Sequence, residues 1–295
     1  MDWMNTFPTL GRESLRALKK TIDSGFRDFT REWGESIENL FEPLKAFLIF
    51  CERLLSTSPW WAVLSVILLM IWWATRSGRI VVGAAISFLL MGYLGMWEDT
   101  MSTVSIIVVS TLVCIGLGLP IGILMSRSDR AQSIVTPILD VMQTIPSFVY
   151  LIPVVMMLGT GKVPGLISVV IYALPPMIRL TNLGIRLVDK EVLEAADAFG
   201  ASAWQKLWQV QVPLALPNIF AGVNQTIMMS LAMVVIASMI GVTGLGQPVL
   251  KAISNQYLAM GLLNGLAIVA LAIIFDRISQ SYGKRLQSYR GDRNE

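Results

Sequence analysis

Long apolar segments alternate with short polar stretches along most of the chain. Each has about 16 to 25 residues, which as a helix crosses a hydrocarbon core of about 30 Å, the shorter ones with local thinning of the bilayer. Seven such segments occur, at residues 59–75, 79–97, 101–125, 134–158, 163–183, 218–242 and 256–275. The pattern predicts an all-α membrane protein, with a bundle of about seven transmembrane helices over residues 59–276.

Helical spacing of apolar residues also precedes the first predicted span. The residues that recur at this spacing are Ile37, Leu40, Phe41, Leu44, Phe47, Leu48, Cys51, Leu54 and Leu55. Charged side chains alternate with them, so we predict an amphipathic helix over residues 36–58 that lies along the membrane face, after a tail over residues 1–35. An eighth span is the competing interpretation, but Glu42, Lys45, Glu52 and Arg53 leave too short an uninterrupted apolar run.

Composition supports the membrane as the natural solvent of this chain. Hydrophobic residues make up 54% and charged residues 15% of the sequence, which leaves little polar surface for a soluble globule. The net charge of +3 is not gathered into a dense patch, so nucleic acid is not expected as a partner. The two cysteines, Cys51 and Cys114, lie far apart and there is no histidine, so neither a disulfide nor a metal site is expected. Residues 1–20 lack the apolar core of a signal peptide, and we expect insertion to depend on the spans themselves.

Basic residues favour one orientation of the predicted spans. Lysines and arginines fill alternate loops, at Arg76, Arg79, Arg127, Arg130, Arg179, Arg186, Lys190, Lys206 and the C-terminal tail 277–295. The intervening loops hold only Lys162 and Lys251. The positive-inside rule therefore predicts a cytoplasmic C-terminus, and seven spans then place the N-terminal tail outside. The basic residues of that tail oppose this orientation, although long tails translocate largely regardless of their charge.

A polar insert over residues 189–217 interrupts the apolar segments. Good helix formers run from Glu191 to Phe199, Gly200 can adopt the left-handed backbone that ends a helix, and Ser202 can cap the next turn. The insert is thus predicted to form a helix, a glycine bend and a second helix. Ala195 and Ala196 would let another protein approach closely, with Phe199 as an apolar anchor. A plain solvated loop is the alternative interpretation.

The same insert carries a motif that resembles a known family. Glu194-Ala195-Ala196, Gly200, Val210 and Val212-Pro213 match the spacing EAA-x3-G-x9-I-x-LP, with valine in place of the isoleucine and the leucine. This motif is the signature of permease subunits of bacterial ABC importers. Further runs resemble the permeases of the glycine betaine, proline betaine and choline importers, the osmoprotectant group, at residues 142–146, 150–153, 173–176, 178–184 and 224–229.

The resemblance implies a type I ABC importer permease that moves its substrate by alternating access. It implies two copies of this chain, two cytoplasmic ATP-binding subunits and an extracytoplasmic substrate-binding protein in the bacterial inner membrane. ATP and Mg would bind to the partner subunits. This chain itself is therefore not expected to be an enzyme or to bind a cofactor. The motif implies ATPase coupling through Glu194, Ala195, Ala196, Gly200 and Pro213, and Phe199, the apolar anchor among them, is expected to take part. Trimethylamine N-oxide or carnitine is the alternative substrate within the family.

Polar and aromatic residues within the spans are candidates for the translocation path. The polar candidates are Asp140, Gln143, Thr144 and Ser147 in the fourth predicted span, and Asn224 and Gln225 in the sixth. Such groups are costly against lipid, so each is expected to face a watery passage or to bond to another helix. The rings of Phe148, Tyr150 and Tyr172 could bind a quaternary ammonium group. An ion-coupled secondary transporter is the rival from another class, and Asp140 is its clear acidic candidate.

Overall fold

The computed structural model describes residues 9–291, with side chains through Gly283, so the predicted tails 1–35 and 277–295 begin and end outside the described residues. Within that range the regular elements are helices. They are α1 Arg12–Thr57, α2 Trp60–Thr75, α3 Gly78–Tyr93, α4 Trp97–Arg127, α5 Asp129–Thr144, α6 Leu151–Leu158, α7 Lys162–Arg186, α8 Lys190–Ala198, α9 Ala203–Gln205, α10 Val212–Ala237, α11 Gly246–Asn255 and α12 Leu258–Gly291.

Four uninterrupted helical stretches in the described part of the chain are long and apolar enough to cross a membrane: α4, α7, Ala203–Ile240 and Leu258–Gly283. Two bent pairs, α1 with α2 and α5 with α6, raise this number to six if each pair is one span. The shorter apolar helix α3 has 16 residues. Each of the seven predicted segments falls on one of these elements.

The fourth predicted span, 134–158, is not one continuous helix, and that part of the prediction is wrong. Helix α5 ends at Thr144, and the chain turns by 108° before α6. Pro146 explains the break, because a residue before proline avoids helical geometry and Ile145 is extended, with φ −67° and ψ 127°. A 3₁₀ turn over Ser147–Tyr150 then leads into α6.

Helix α1 begins far earlier than predicted. The expected interfacial helix covered residues 36–58, whereas α1 has 46 residues and starts at Arg12, so most of the predicted tail 1–35 is helical. The helix ends before Pro59, and α2 departs from it at 112°. Leu48, near the C-terminal end of α1, packs against the bundle and is only 1% exposed. The amphipathic helix is therefore present, with a different start.

The centre of the bundle is formed by α4, α7 and α10. Their backbones approach closely at glycines: a Cβ atom on Gly122 of α4 would lie 2.6 Å from Thr181 Cβ, and one on Gly184 of α7 would lie 2.7 Å from Asn218 Cβ. Small residues permit such contacts where side chains cannot interdigitate. Helix α12 packs on α10. Helices α2 and α3 lie at the periphery, and α5 packs mainly against α4 and α7.

Candidate functional site

The predicted bend at Gly200 is confirmed in detail. Helix α8 covers Lys190–Ala198, and the side chain of its N-cap, Asp189, accepts a hydrogen bond of 3.0 Å from the amide of Glu191. Gly200 has φ +75°, a left-handed conformation that is costly for other residues. The local sequence is thus sufficient to end α8 and turn the chain.

The second arm of the bend is continuous with a spanning helix. Ser202 caps it, as predicted, through a reciprocal capping box with Gln205. A π-helical segment, Lys206–Gln211, then leads directly into α10. Pro213 in the first turn of α10 lacks an amide hydrogen, which accounts for an irregular hydrogen-bond pattern just before it. We call residues 189–211 the elbow. Displacement of the elbow would act directly on α10.

An ion pair joins the two arms of the elbow, and a ring contact lies within the second arm. Lys206 Nζ lies 2.5 and 2.7 Å from the two carboxylate oxygens of Asp197, across the glycine bend. The rings of Trp204 and Trp208, one helical turn apart, meet edge to face with centroids 5.5 Å apart. The ion pair thus braces the bend, and the ring contact supports the second arm.

The elbow is exposed along most of its length, and Leu207 in its second arm is the residue that anchors it in the core. No residue of α8 is buried, Phe199 is 93% exposed and Trp204 is 64% exposed. Lipid is an unsuitable neighbour, because the elbow also carries the charged residues Lys190, Glu191, Glu194 and Asp197. Large apolar side chains on a charged, projecting element are typical of a protein-binding surface.

The structure brings most of the predicted coupling residues together. Glu194, Ala195, Phe199 and Gly200 are exposed on the elbow, and Ala196 beside them is half-buried. Pro213 is half-buried at the start of α10, away from the bend. Sequence reasoning missed Trp204 and Trp208, although their spacing of four residues predicts neighbours on one helix face.

The polar candidates of α5 lie on its exposed side. Asp140 forms an ion pair with Arg179 of α7, an arrangement that neutralises both charges within the span. Gln143 and Thr144 are exposed, and the Thr144 hydroxyl donates to the carbonyl of Val141 at 3.0 Å. In the 3₁₀ turn that follows, Ser147 is half-buried and Phe148 is 57% exposed. These five residues are thus exposed or half-buried in the single chain.

The two tyrosines lie next to each other. Their rings meet edge to face, with centroids 6.1 Å apart, and Tyr172 is half-buried while Tyr150 is buried. The Tyr150 hydroxyl donates to the carbonyl of Met142, across the break between α5 and α6. Tyr150 therefore braces the break, and little of its ring is open to a ligand.

The candidates of the sixth predicted span lie elsewhere. Asn224 Nδ2 donates at 3.0 Å to Asp276 Oδ1 of α12, and Gln280 Nε2 donates to the same carboxylate at 2.8 Å. Asn224 thus faces α12, and the side chain of Gln225 is exposed. Sequence reasoning missed Asp276 because the last predicted span ended one residue before it. The structure does not bring Asn224 into contact with the α5 group.

At the other end of α7 from the elbow, α1 is fastened to the bundle. Both carboxylate oxygens of Glu52 lie within 2.7 Å of Lys162 Nζ, and Ser102 Oγ donates to the same carboxylate at 2.9 Å. The hydroxyl of Thr103 accepts a 2.9 Å hydrogen bond from the amide of Leu245. We call these five residues the clasp, because they join α1, α4, α7 and the segment before α11.

Comparison with known proteins identifies relatives along the whole chain. A family model for the "binding-protein-dependent transport system inner membrane component" matches residues 115–288. The glycine betaine/proline betaine transport system permease protein ProW of Escherichia coli (strain K12) is 46% identical over 302 residues, 99% of this chain and 85% of the relative. The glycine betaine/carnitine transport permease protein GbuB of Listeria monocytogenes is 44% identical over 233 residues, 78% of this chain and 83% of the relative.

A solved structure shares the fold. A chain of the MetNI methionine ABC transporter in an inward-facing conformation superposes with a TM-score of 0.58 at 18% identity, over 63% of this chain and 93% of that chain. At this identity the likeness concerns the fold alone, and it confirms the predicted all-α permease bundle.

Proposed function

This chain belongs to the family of inner membrane components of binding-protein-dependent transport systems, and we propose that it is the permease subunit of an ATP-driven importer for glycine betaine, proline betaine or choline. The proposed substrate class rests on the two relatives described above, whose names specify the transport of compact methylated osmolytes. Trimethylamine N-oxide and carnitine are substrates of the same chemical kind. Transport would proceed by alternating access of the bundle to the two sides of the membrane.

The observation that carries the proposal is the exposed elbow. It presents Phe199 and Trp204 at a surface that the single chain leaves open, and its second arm continues into α10. A cytoplasmic ATP-binding subunit would dock there, and its closure on ATP would move α10. Each chain contributes one elbow, so two chains and two ATP-binding subunits form the proposed assembly. Phe199, with Glu194, Ala195 and Ala196 beside it, would form the contact.

The proposed topology follows from this docking. The elbow and the arginine-rich loops at Arg76 and Arg127 would lie in the cytoplasm, as the positive-inside rule requires. The clasp and α1 would then lie on the outer side of the membrane, where a substrate-binding protein delivers its ligand. The N-terminus would be outside and the C-terminus inside.

The proposed path runs along the exposed face of α5, between two copies of the chain. A zwitterionic betaine carries a methylated cation and a carboxylate, and the Asp140 and Arg179 pair offers the complementary charges. Phe148, 57% exposed, offers an aromatic face to the methyl groups. Gln143, Thr144 and Ser147 would supply polar contacts along the way. Tyr172, Asn224 and Gln225 would have smaller roles, because they lie apart from this face or are partly covered.

Reconstitution of the complete transporter tests the coupling role of the elbow. Gly200 and Gly95 make a matched pair, since both have φ +75° and an added Cβ would meet nothing within 4 Å at either position. A leucine costs about 1–2 kcal/mol of backbone strain at both. We expect Gly200→Leu to retain ATP hydrolysis while uptake of labelled glycine betaine falls at least tenfold, and Gly95→Leu to leave both near wild type.

Three outcomes would contradict the proposal. The chain could fail to co-purify with the ATP-binding subunit expressed beside it. Coupled uptake by Gly200→Leu could equal that of Gly95→Leu. Uptake driven by an imposed ion gradient without ATP would instead support the secondary transporter.

A further inference from the structure

A groove lies between α3 and α12, away from the elbow and from the α5 face. It has a volume of about 510 Å³, and its lining starts at Ser77, just before α3 begins. Small side chains give it depth, since Gly83, Ala84 and Ser87 form one wall and Ala270 lies in the other. The groove extends along α3 from Ser77 to Ser87, roughly 15 Å of helix axis. That length matches one leaflet of a hydrocarbon core about 30 Å thick.

Two arginines stand at the mouth of this groove. Arg79 and Arg277 line it and are both exposed, and neither guanidinium has a hydrogen bond or ion pair among the described side chains. Beside the arginines the walls are apolar, with Ile80, Ile273 and Ile274. The groove is thus positively charged at the membrane surface and apolar within the span.

The start of α3 adds hydrogen-bond donors at the same mouth. Ser77, its N-cap, makes no side-chain capping bond to the helix, so the first amides of α3 have no cap. Uncapped amides and the positive end of the helix dipole favour an anion there. Arginine guanidinium groups match the oxygens of a phosphate in geometry as well as in charge.

We propose that the groove between α3 and α12 binds one anionic phospholipid, with its phosphate between Arg79 and Arg277 and an acyl chain along Gly83 and Ala84. A free phosphate would use the mouth and leave the apolar part empty, whereas a phospholipid fills both. Basic pockets between transmembrane helices on the cytoplasmic side are known to bind such headgroups. The lipid would belong to the cytoplasmic leaflet in the proposed topology, but its binding does not depend on which substrate is transported.

Native mass spectrometry of the purified full chain tests this site. The chain is titrated with phosphatidylglycerol or phosphatidylcholine in detergent, and the lipids retained per chain are counted. We expect Arg79→Gln/Arg277→Gln to need about tenfold more phosphatidylglycerol for the first occupancy, with retention of phosphatidylcholine unchanged. Arg127→Gln/Arg130→Gln removes the same charge from another loop at this end of the bundle and should retain the lipid as wild type does.

A second pair of variants addresses the apolar part of the groove. Gly83 and Gly265 both leave open space for a Cβ, but only Gly83 lines the groove. Gly83→Leu should lose the bound phosphatidylglycerol and Gly265→Leu should keep it. Equal retention by the two arginine double variants would overturn the proposal, as would equal retention by the two leucine variants. Displacement of the bound phosphatidylglycerol by millimolar inorganic phosphate would show a free-anion site and would overturn the proposal. A groove closed by a second copy of the chain would retain no lipid in the wild type, and that result would overturn it as well.

Discussion

The two ends of α7 are built in opposite ways. At the clasp, Glu52 is 16% exposed at its side chain and satisfies two donors from other helices, and Gly244 brings the backbone within reach of Thr103. At the elbow, no residue of α8 is buried and the carboxylate of the bracing pair, Asp197, is 55% exposed. One end is joined to its own bundle, and the other is left exposed in the single chain.

This difference indicates where motion can enter the bundle. Close backbone contacts and buried hydrogen bonds resist displacement, because any shift leaves polar groups unpaired. The exposed first arm costs little to move, and the second arm, which Leu207 joins to the core, continues into α10. We therefore expect substitutions at the clasp to change mainly stability, and substitutions at the elbow to change mainly partner binding and coupling.

The largest expected effect is that of Gly244→Ala at the clasp. Gly244 has φ +133°, and an added Cβ would lie 2.5 Å from Thr103 Oγ1. Backbone strain and overpacking together should cost about 2–5 kcal/mol. Thermal unfolding of the purified chain, followed by tryptophan fluorescence, should show a much lower Tm than for Gly200→Ala, where the space is open. Similar losses at the two glycines would remove the distinction between the ends.

Phe199→Ala should separate binding from stability. The ring is 93% exposed, so its removal should leave the Tm unchanged. A central aromatic anchor contributes about 2 kcal/mol or more to binding, which corresponds to a Kd for the ATP-binding subunit about thirtyfold higher. Tyr93, 90% exposed at the end of α3, provides the control Tyr93→Ala, which should bind as wild type. An unchanged Kd for Phe199→Ala would show that the elbow contacts its partner elsewhere.

The smallest expected effect is the difference in coupling energy between two ion pairs, Glu52–Lys162 at the clasp and Asp197–Lys206 at the elbow. Double-mutant cycles with Glu52→Gln and Lys162→Gln should give a coupling of about 1–2 kcal/mol, because the pair is largely shielded and Ser102 supports it. Cycles with Asp197→Asn and Lys206→Gln should give about 0.2–1 kcal/mol, decreasing with added salt. Chemical unfolding of the single and double variants measures both. A stronger coupling at the elbow would reverse the comparison.

Local features of the elbow could be predicted from sequence because they depend on neighbouring residues. Gly200 and Ser202 specify a bend and a cap within a few positions, and both are observed. The apolar segments likewise follow from composition over one helix length. The break in the fourth predicted span was harder. Pro146 was visible, but the size of the bend depends on how the halves then pack, including the contact of Tyr150 with Met142.

Long-range partners could not be predicted in this way. Asn224 was expected near the path, whereas its partner Asp276 lies on α12, which packs beside α10. Glu52 was identified as a charge that interrupts an apolar face, and its bond to Lys162 joins residues 110 positions apart. Such pairs arise from helix packing, which no local pattern specifies.

The length of α1 has a consequence for the surroundings of this protein. Its 46 residues extend roughly 69 Å, and residues 12–20 at its far end are all exposed. Since α1 meets α2 at 112°, a membrane that contains α2 upright would have α1 lying nearly flat upon it. The molecule then occupies a wider footprint at that surface than its bundle requires, and in a crowded membrane α1 would set the lateral spacing between this bundle and its neighbours.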